Sequence, residues 1–150
     1  MIRYLFLATL VLTVALSTKA QSPPVKAATI FVYMPHHSTT SWRFSGKFYL
    51  DEKKTAEISK NRYFVLHLDP GKHTFYVRDK KFGGIDLDVA EGVTYYLKIN
   101  VDEGGGRIRF RGVSIVPKEE GEFVIKQIQP IRKADIYDAV AVDMKVISLK

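Results

Sequence analysis

From residue 28 onward the chain is a succession of short β-branched and aromatic runs, each closed by glycine, proline, asparagine or aspartate, with no sustained 3.6-residue repeat. The runs cover residues 28–34, 47–50, 62–68, 73–78, 85–89, 93–101, 107–116 and 122–128. Strands this short and this closely spaced bury one face each by packing as two layers, so the pattern predicts an all-β fold, a single antiparallel sandwich. The 150 residues include no cysteine. Hydrophobic burial and a complete hydrogen-bond ladder must therefore hold the fold, without disulfides or thiolate-bound metal.

Residues 1–20 are of another kind. Arg3 supplies a positive charge, 5–16 is apolar apart from two threonines, and Ser17-Thr18-Lys19-Ala20 ends in small residues. The stretch reads as a secretory signal peptide cleaved after Ala20. Its apolar part, about a dozen residues, is short of the roughly 20 that a spanning helix needs, so the exported protein is expected to be soluble, in the periplasm or outside the cell. Residues 21–27, with Pro23-Pro24, form an extended spacer, 28–128 the sandwich, and 129–150 a C-terminal extension. In the extension Val140, Val142, Met144 and Val146 alternate as in a strand, whereas Ile136, Val140, Met144 and Ile147 would line a helix face. The valines favour the strand.

Loss of Arg3 and Lys19 with the leader takes the formal charge from +7 to +5. A basic surplus favours anionic partners, and it also serves plain solubility. Export argues against nucleic acid. An acidic envelope polymer, a lipid head group or an envelope protein fits the compartment better.

Two strand pairings follow from burial parity. Around Asp69-Pro70-Gly71-Lys72, a hairpin that sets Leu68 opposite His73, Leu66 opposite Phe75 and Phe64 opposite Val77 brings the apolar set to one face, and a one-residue slip destroys the match. Pro70-Gly71 suits a type II turn inside a four-residue loop. In the second pairing, Ile99 faces Phe110 and Val101 faces Ile108, which places Lys98 opposite Arg111 and Asn100 opposite Arg109. Beyond Phe110 the apolar phase breaks, and a bulge near Arg111-Gly112 restores it.

Three stretches resemble a bacterial envelope family known as domain of unknown function 2846: Tyr63-Phe64 leading into Leu66-His-Leu-Asp-Pro-Gly-Lys-His73, Glu91-Gly-Val-Thr-Tyr-Tyr-Leu97, and Val116-Pro-Lys-Glu-Glu-Gly-Glu122. The likeness covers about residues 28–128. It implies an exported prealbumin-like, Ig-like sandwich of uncharacterised activity and carries no catalytic residues to transfer. The chain departs from the family where relatives tend to have Asp-Gly in an early hairpin, showing Asp51-Glu52-Lys53-Lys54 instead. Many relatives are lipoproteins, and this chain lacks the cysteine that lipidation needs.

The candidate chemistry is sparse. His36 and His37 are adjacent, so in extended chain they point apart, and with too few further ligands the reading is a solvated loop, not a metal site. His73 reads as a structural residue that hydrogen-bonds the Pro70-Gly71 turn at the sheet margin. There is no Gly-x-Ser-x-Gly elbow and no thiol nucleophile. Arg107, Arg109 and Arg111 share one strand face by their period of two, with Lys98, Asn100 and Tyr96 across the ladder; the set forms a candidate anion-binding face, or else a solvated face neutralised by Asp86 and Asp88. The loop carrying His36, His37, Trp42, Arg43 and Phe44 is a candidate recognition loop, with Trp42 and Phe44 capping the sandwich as the competing role. The expectation is an exported, non-catalytic binding or scaffolding module of the bacterial cell envelope without a cofactor. The alternative is a small hydrolase or metal-dependent protein on a transthyretin-like sandwich.

Overall fold

The computed structural model describes residues 25–35, 45–78, 83–104, 107–138 and 141–143. Among the described residues the strands are β1 Ala28–Met34, β2 Ser45–Leu50, β3 Lys53–Ser59, β4 Arg62–Leu68, β5 Gly71–Val77, β6 Ile85–Val89, β7 Thr94–Gly104, β8 Arg107–Val116 and β9 Gln129–Pro130, with an α-helix, α1, over Lys118–Ile125. They form a five-stranded sheet in the order β8-β7-β1-β4-β9 and a four-stranded sheet in the order β3-β2-β5-β6. Pairing is antiparallel except for β1 with β7 and β4 with β9. The chain is thus an all-β sandwich, as the spacing of the runs predicts.

Between the sheets lies one core. Ile30, Val32, Phe64, Leu66, Leu97 and Ile99 face inward from the five-stranded sheet, and Phe48, Ala56, Ile58, Phe75 and Val77 meet them from the other. Phe48 sits edge-on to Phe64 with ring centroids 5.2 Å apart, which joins the two layers.

The expected hairpin around Pro70-Gly71 is not one. β4 pairs with β1 and β9, while β5 pairs with β2 and β6, so the chain crosses at Asp69-Pro70 from one sheet to the other. Phe64, Leu66, Leu68, Phe75 and Val77 all point inward as expected, but from opposite walls of the core. Alternation reports which face a strand buries and is silent on its ladder partner. Pro70 offers no N–H to a ladder, and Gly71 takes φ 141°, a conformation that suits an abrupt change of direction.

The second pairing is shifted. Ile99 faces Val113 and Val101 faces Phe110, so Lys98 lies opposite Ser114 and Asn100 opposite Gly112. The bulge does fall where the phase breaks, between Asn100 and Val101 on one side and Gly112 and Phe110 on the other, with Gly112 at φ 125°. Arg111 is the extra residue.

Residues 118–125 are helical, against the strand expected over 122–128. Pro117 precedes the helix, Glu119 and Glu120 occupy its first turn where the helix dipole favours negative charge, and Lys118 pairs with Glu122 one turn on. The helix lies over the outer face of the five-stranded sheet, and a second apolar cluster of Tyr33, Tyr63, Val65 and Ile128, flanked by Val124 and Ile125, forms there. β3 has no counterpart among the expected strands. Its Lys-Lys-Thr-Ala-Glu-Ile-Ser sequence buries only Thr55, Ala56 and Ile58.

The C-terminal extension ties the two sheets together along one side. Gln129–Pro130 adds to the edge of β4, Ile136 bridges to Ala56 at the edge of β3, and Val142 returns to bridge Leu66. Short strand-like bridges are what Val142 makes, while Val140, Met144, Val146 and Ile147 lie outside the described residues. Edges that would otherwise offer unpaired N–H and C=O groups are covered in this way.

Candidate functional site

The two outer faces of the sandwich differ. That of the five-stranded sheet carries α1, whereas that of the four-stranded sheet presents Ser45, Lys47 and Tyr49 from β2, Glu57 from β3, and Thr74 and Tyr76 from β5, each the outward member of an alternating strand. Tyr49 and Tyr76 are cross-strand partners, and their rings stack at 4.9 Å and 3°. At the β2 start of this face is a groove of about 510 Å³, lined among others by Ser45, Lys47, Tyr49, Glu57, Arg78 and Phe110.

Each wall has a reason. Gly46 faces inward, and a Cβ there would lie 2.8 Å from Val77 Cγ1 and closer still to the Phe110 ring, so only glycine lets β8 reach the end of β2. Glu57 accepts a hydrogen bond from Ser45 Oγ at 2.5 Å and one from Tyr137 Oη at 2.8 Å. These two bonds, the Ser45 bond foremost, hold its carboxyl below the usual range and keep it anionic. Tyr137, which is 47% exposed, also carries the Lys54 ammonium 3.5 Å from its ring centroid. Arg78 donates its backbone N–H to Lys47 O at 3.0 Å, which sets the two cationic residues side by side. Its φ of 69° is a left-handed conformation that a non-glycine residue seldom adopts.

The expected anion-binding face is arranged otherwise. Tyr96 is buried beneath α1, stacked on Phe31 at 5.1 Å, with Gly121 against its ring. Lys98 pairs with Glu120 at 3.1 Å, and Asn100 donates to Ser114 Oγ at 3.0 Å. Arg111 donates through Nε to Asp102 at 3.1 Å and makes a second, shorter bond to it through Nη2. Arg109 is exposed opposite Asp102, and Arg107 stands opposite Gly104. The neutralising acids are thus Asp102 and Glu120. Asp86 and Asp88 belong to β6 in the other sheet, where Asp86 accepts from Thr74 Oγ1 at 2.6 Å. The helix is what the strand pattern could not show, and the acidic pair Glu119-Glu120 after Pro117 was its available signal.

His73 is tied down on both ring nitrogens. Nδ1 is 2.6 Å from Asp51 Oδ2 and Nε2 is 3.0 Å from Asp69 O, so the ring closes the crossing from β4 to β5. Burial lowers its pKa, but the Asp51 hydrogen bond, the Asp69 carbonyl and both acidic charges outweigh burial and raise it. Asp51 also accepts the Thr74 N–H at 2.8 Å. A carboxylate on one nitrogen and a carbonyl on the other engage the imidazole fully.

His67 makes a different line. Its Nδ1 is 3.4 Å from Thr29 Oγ1 and its Nε2 is 2.7 Å from Asp143 Oδ2, a hydroxyl–imidazole–carboxylate order that sequence spacing gave no means of finding. The three residues lie outside the groove on the four-stranded sheet. Among the described residues no group of three or more His, Cys, Asp or Glu could hold a metal ion. His36, His37, Trp42, Arg43 and Phe44 lie outside the described residues, as do 1–20.

The fold and this face define a two-sheet β-sandwich with one outer surface under α1 and one that no described helix covers. The chain belongs to the family described as protein of unknown function (DUF2846), which it matches over residues 24–114. The match takes in β1 to β7 and most of β8, and so strands of both sheets, but ends before α1 and β9. No curated protein and no solved structure matches the chain.

Proposed function

We propose that the protein is an exported binding module of the bacterial cell envelope and that it acts through the open face of its four-stranded sheet, without covalent chemistry. One observation carries the reading: the groove there gathers an aromatic ring already fixed by stacking, two cations and a hydrogen-bonded carboxylate from β2, β3 and the end of β5. Sites of recognition characteristically combine a rigid apolar surface with a few placed polar groups. The leader-like residues 1–20 support export. Among the described residues no helix is long and apolar enough to cross a membrane.

Expression of the tagged full chain in a bacterial host tests both halves. The exported form should begin at Gln21, and isolated envelope should retain it more strongly than the Tyr49→Ala, Arg78→Gln double variant. A leader that stays uncleaved, or equal retention of the two forms, overturns the proposal.

A hydrolase remains the competing class, because the Thr29–His67–Asp143 order resembles that of an activated hydroxyl. Turnover of ester or amide substrates that Asp143→Asn abolishes would favour it.

A further inference from the structure

We infer that the groove on the four-stranded sheet takes a pyranose sugar bearing a carboxylate or phosphate; this rests on the binding-module reading and names its ligand. Three features lead to that chemistry. Tyr49 has one ring face against Tyr76 at 4.9 Å while the residue lines the groove, so its orientation is set before any ligand arrives. A preset aromatic face suits the flat C–H surface of a sugar ring, and the ordering penalty on binding is small. Phe110 extends the apolar lining.

Charge selects among sugars. Lys47 on β2 and Arg78 just past the end of β5 are held together by the 3.0 Å backbone hydrogen bond, both are exposed, and neither forms an ion pair among the described residues. The one acid among the described lining residues, Glu57, stands opposite Lys47 in the ladder and has each carboxylate oxygen engaged, by Ser45 and by Tyr137, so it is held in place and its remaining lone pairs are free to accept from a ligand hydroxyl. A guanidinium and an ammonium beside an aromatic wall match an anionic group on a sugar ring better than a neutral or cationic one. Arg78 also keeps a left-handed backbone where glycine or asparagine would be less strained. Strain of that kind persists where a side chain is needed.

Isothermal titration with the full chain tests the inference, using a galacturonic acid tetrasaccharide, its methyl-esterified neutral form, glucose 6-phosphate, glucose, and phosphatidylglycerol vesicles as probes. At least one anionic sugar should bind ten times or more tighter than its neutral counterpart, and added salt should weaken it. Binding through the carboxylate or through the phosphate is told apart by which of the two arms responds. Arg78→Gln should abolish the preference for the anionic form, and Tyr49→Ala should weaken it at least tenfold. Tyr49→Phe should retain it, which separates loss of the ring from loss of the fold. Equal binding of charged and neutral sugars, an unchanged preference in Arg78→Gln, or binding to vesicles alone overturns the inference. If no sugar binds while the envelope still distinguishes the protein from its double variant, the ligand is wrong and the binding-module reading stands. If the envelope does not distinguish them either, both fall.

Discussion

Gly83 and Gly112 pack backbone against backbone where the approach to β6 meets the bulge of β8. A Cβ on Gly83 would lie 2.9 Å from the Gly112 Cα, and one on Gly112 would lie 2.8 Å from the Gly83 Cα. Gly83 O accepts the Val113 N–H at 2.9 Å, so the contact also joins the edges of the two sheets. Both glycines have positive φ, 93° and 125°.

Gly112→Ala should therefore lower stability by about 2–4 kcal/mol, combining backbone strain with a contact too short for any side chain. Urea unfolding measures it. An unchanged midpoint would mean that the bulge relaxes without loss.

Asp51 and Glu52 form the two-residue turn between β2 and β3, at φ 47° and 68°. This is the double left-handed conformation for which Asp-Gly is favoured, and here Asp-Glu adopts it. Asp51 is held by its bonds to His73 and Thr74, whereas a glycine at 52 would relieve strain. Glu52→Gly should raise stability by about 0.5–1 kcal/mol, less whatever glycine adds to unfolded-chain entropy. A rise in thermal midpoint is the expected readout, and a fall would show that entropy outweighs strain.

Because its folded pKa is raised, the His73 imidazolium contributes stability that is fully present below the unfolded value of about 6.5 and is lost as pH rises through the folded pKa. Unfolding free energy should decline across that window in the wild type. In His73→Gln the decline should flatten. Parallel pH profiles for the two proteins would show that the Asp51 contact does not depend on the ring's charge.

Tyr33 Oη is buried with no hydrogen-bond partner among the described residues, and burial, with the nearby Glu120 charge, pushes the phenol pKa up to about 12. A buried hydroxyl without a partner is a net loss relative to the same ring without it. Tyr33→Phe should leave the fold intact and raise stability by about 1 kcal/mol, as read by chemical denaturation. A loss of similar size would reveal a water or group that the hydroxyl binds.

The class of fold was legible in the chain because a strand's period of two is local. Phe64, Leu66, Phe75 and Val77 each declare an inward face without reference to any partner, and the break in phase after Phe110 marks the bulge at Gly112. Tertiary structure decided what lies across from what. The same inward parity is satisfied by β4 and β5 as a hairpin or as opposite walls of the core, and parity alone does not distinguish the two. It also decided which charges are neutralised: Lys98 and Arg111 meet Glu120 and Asp102 only once α1 and the true register are in place. The groove was beyond local reading for the same reason. Tyr49, Glu57, Arg78 and Phe110 come from four separate segments, and only the pairing of β2 with β3 and β5, closed by β8 over Gly46, makes them neighbours.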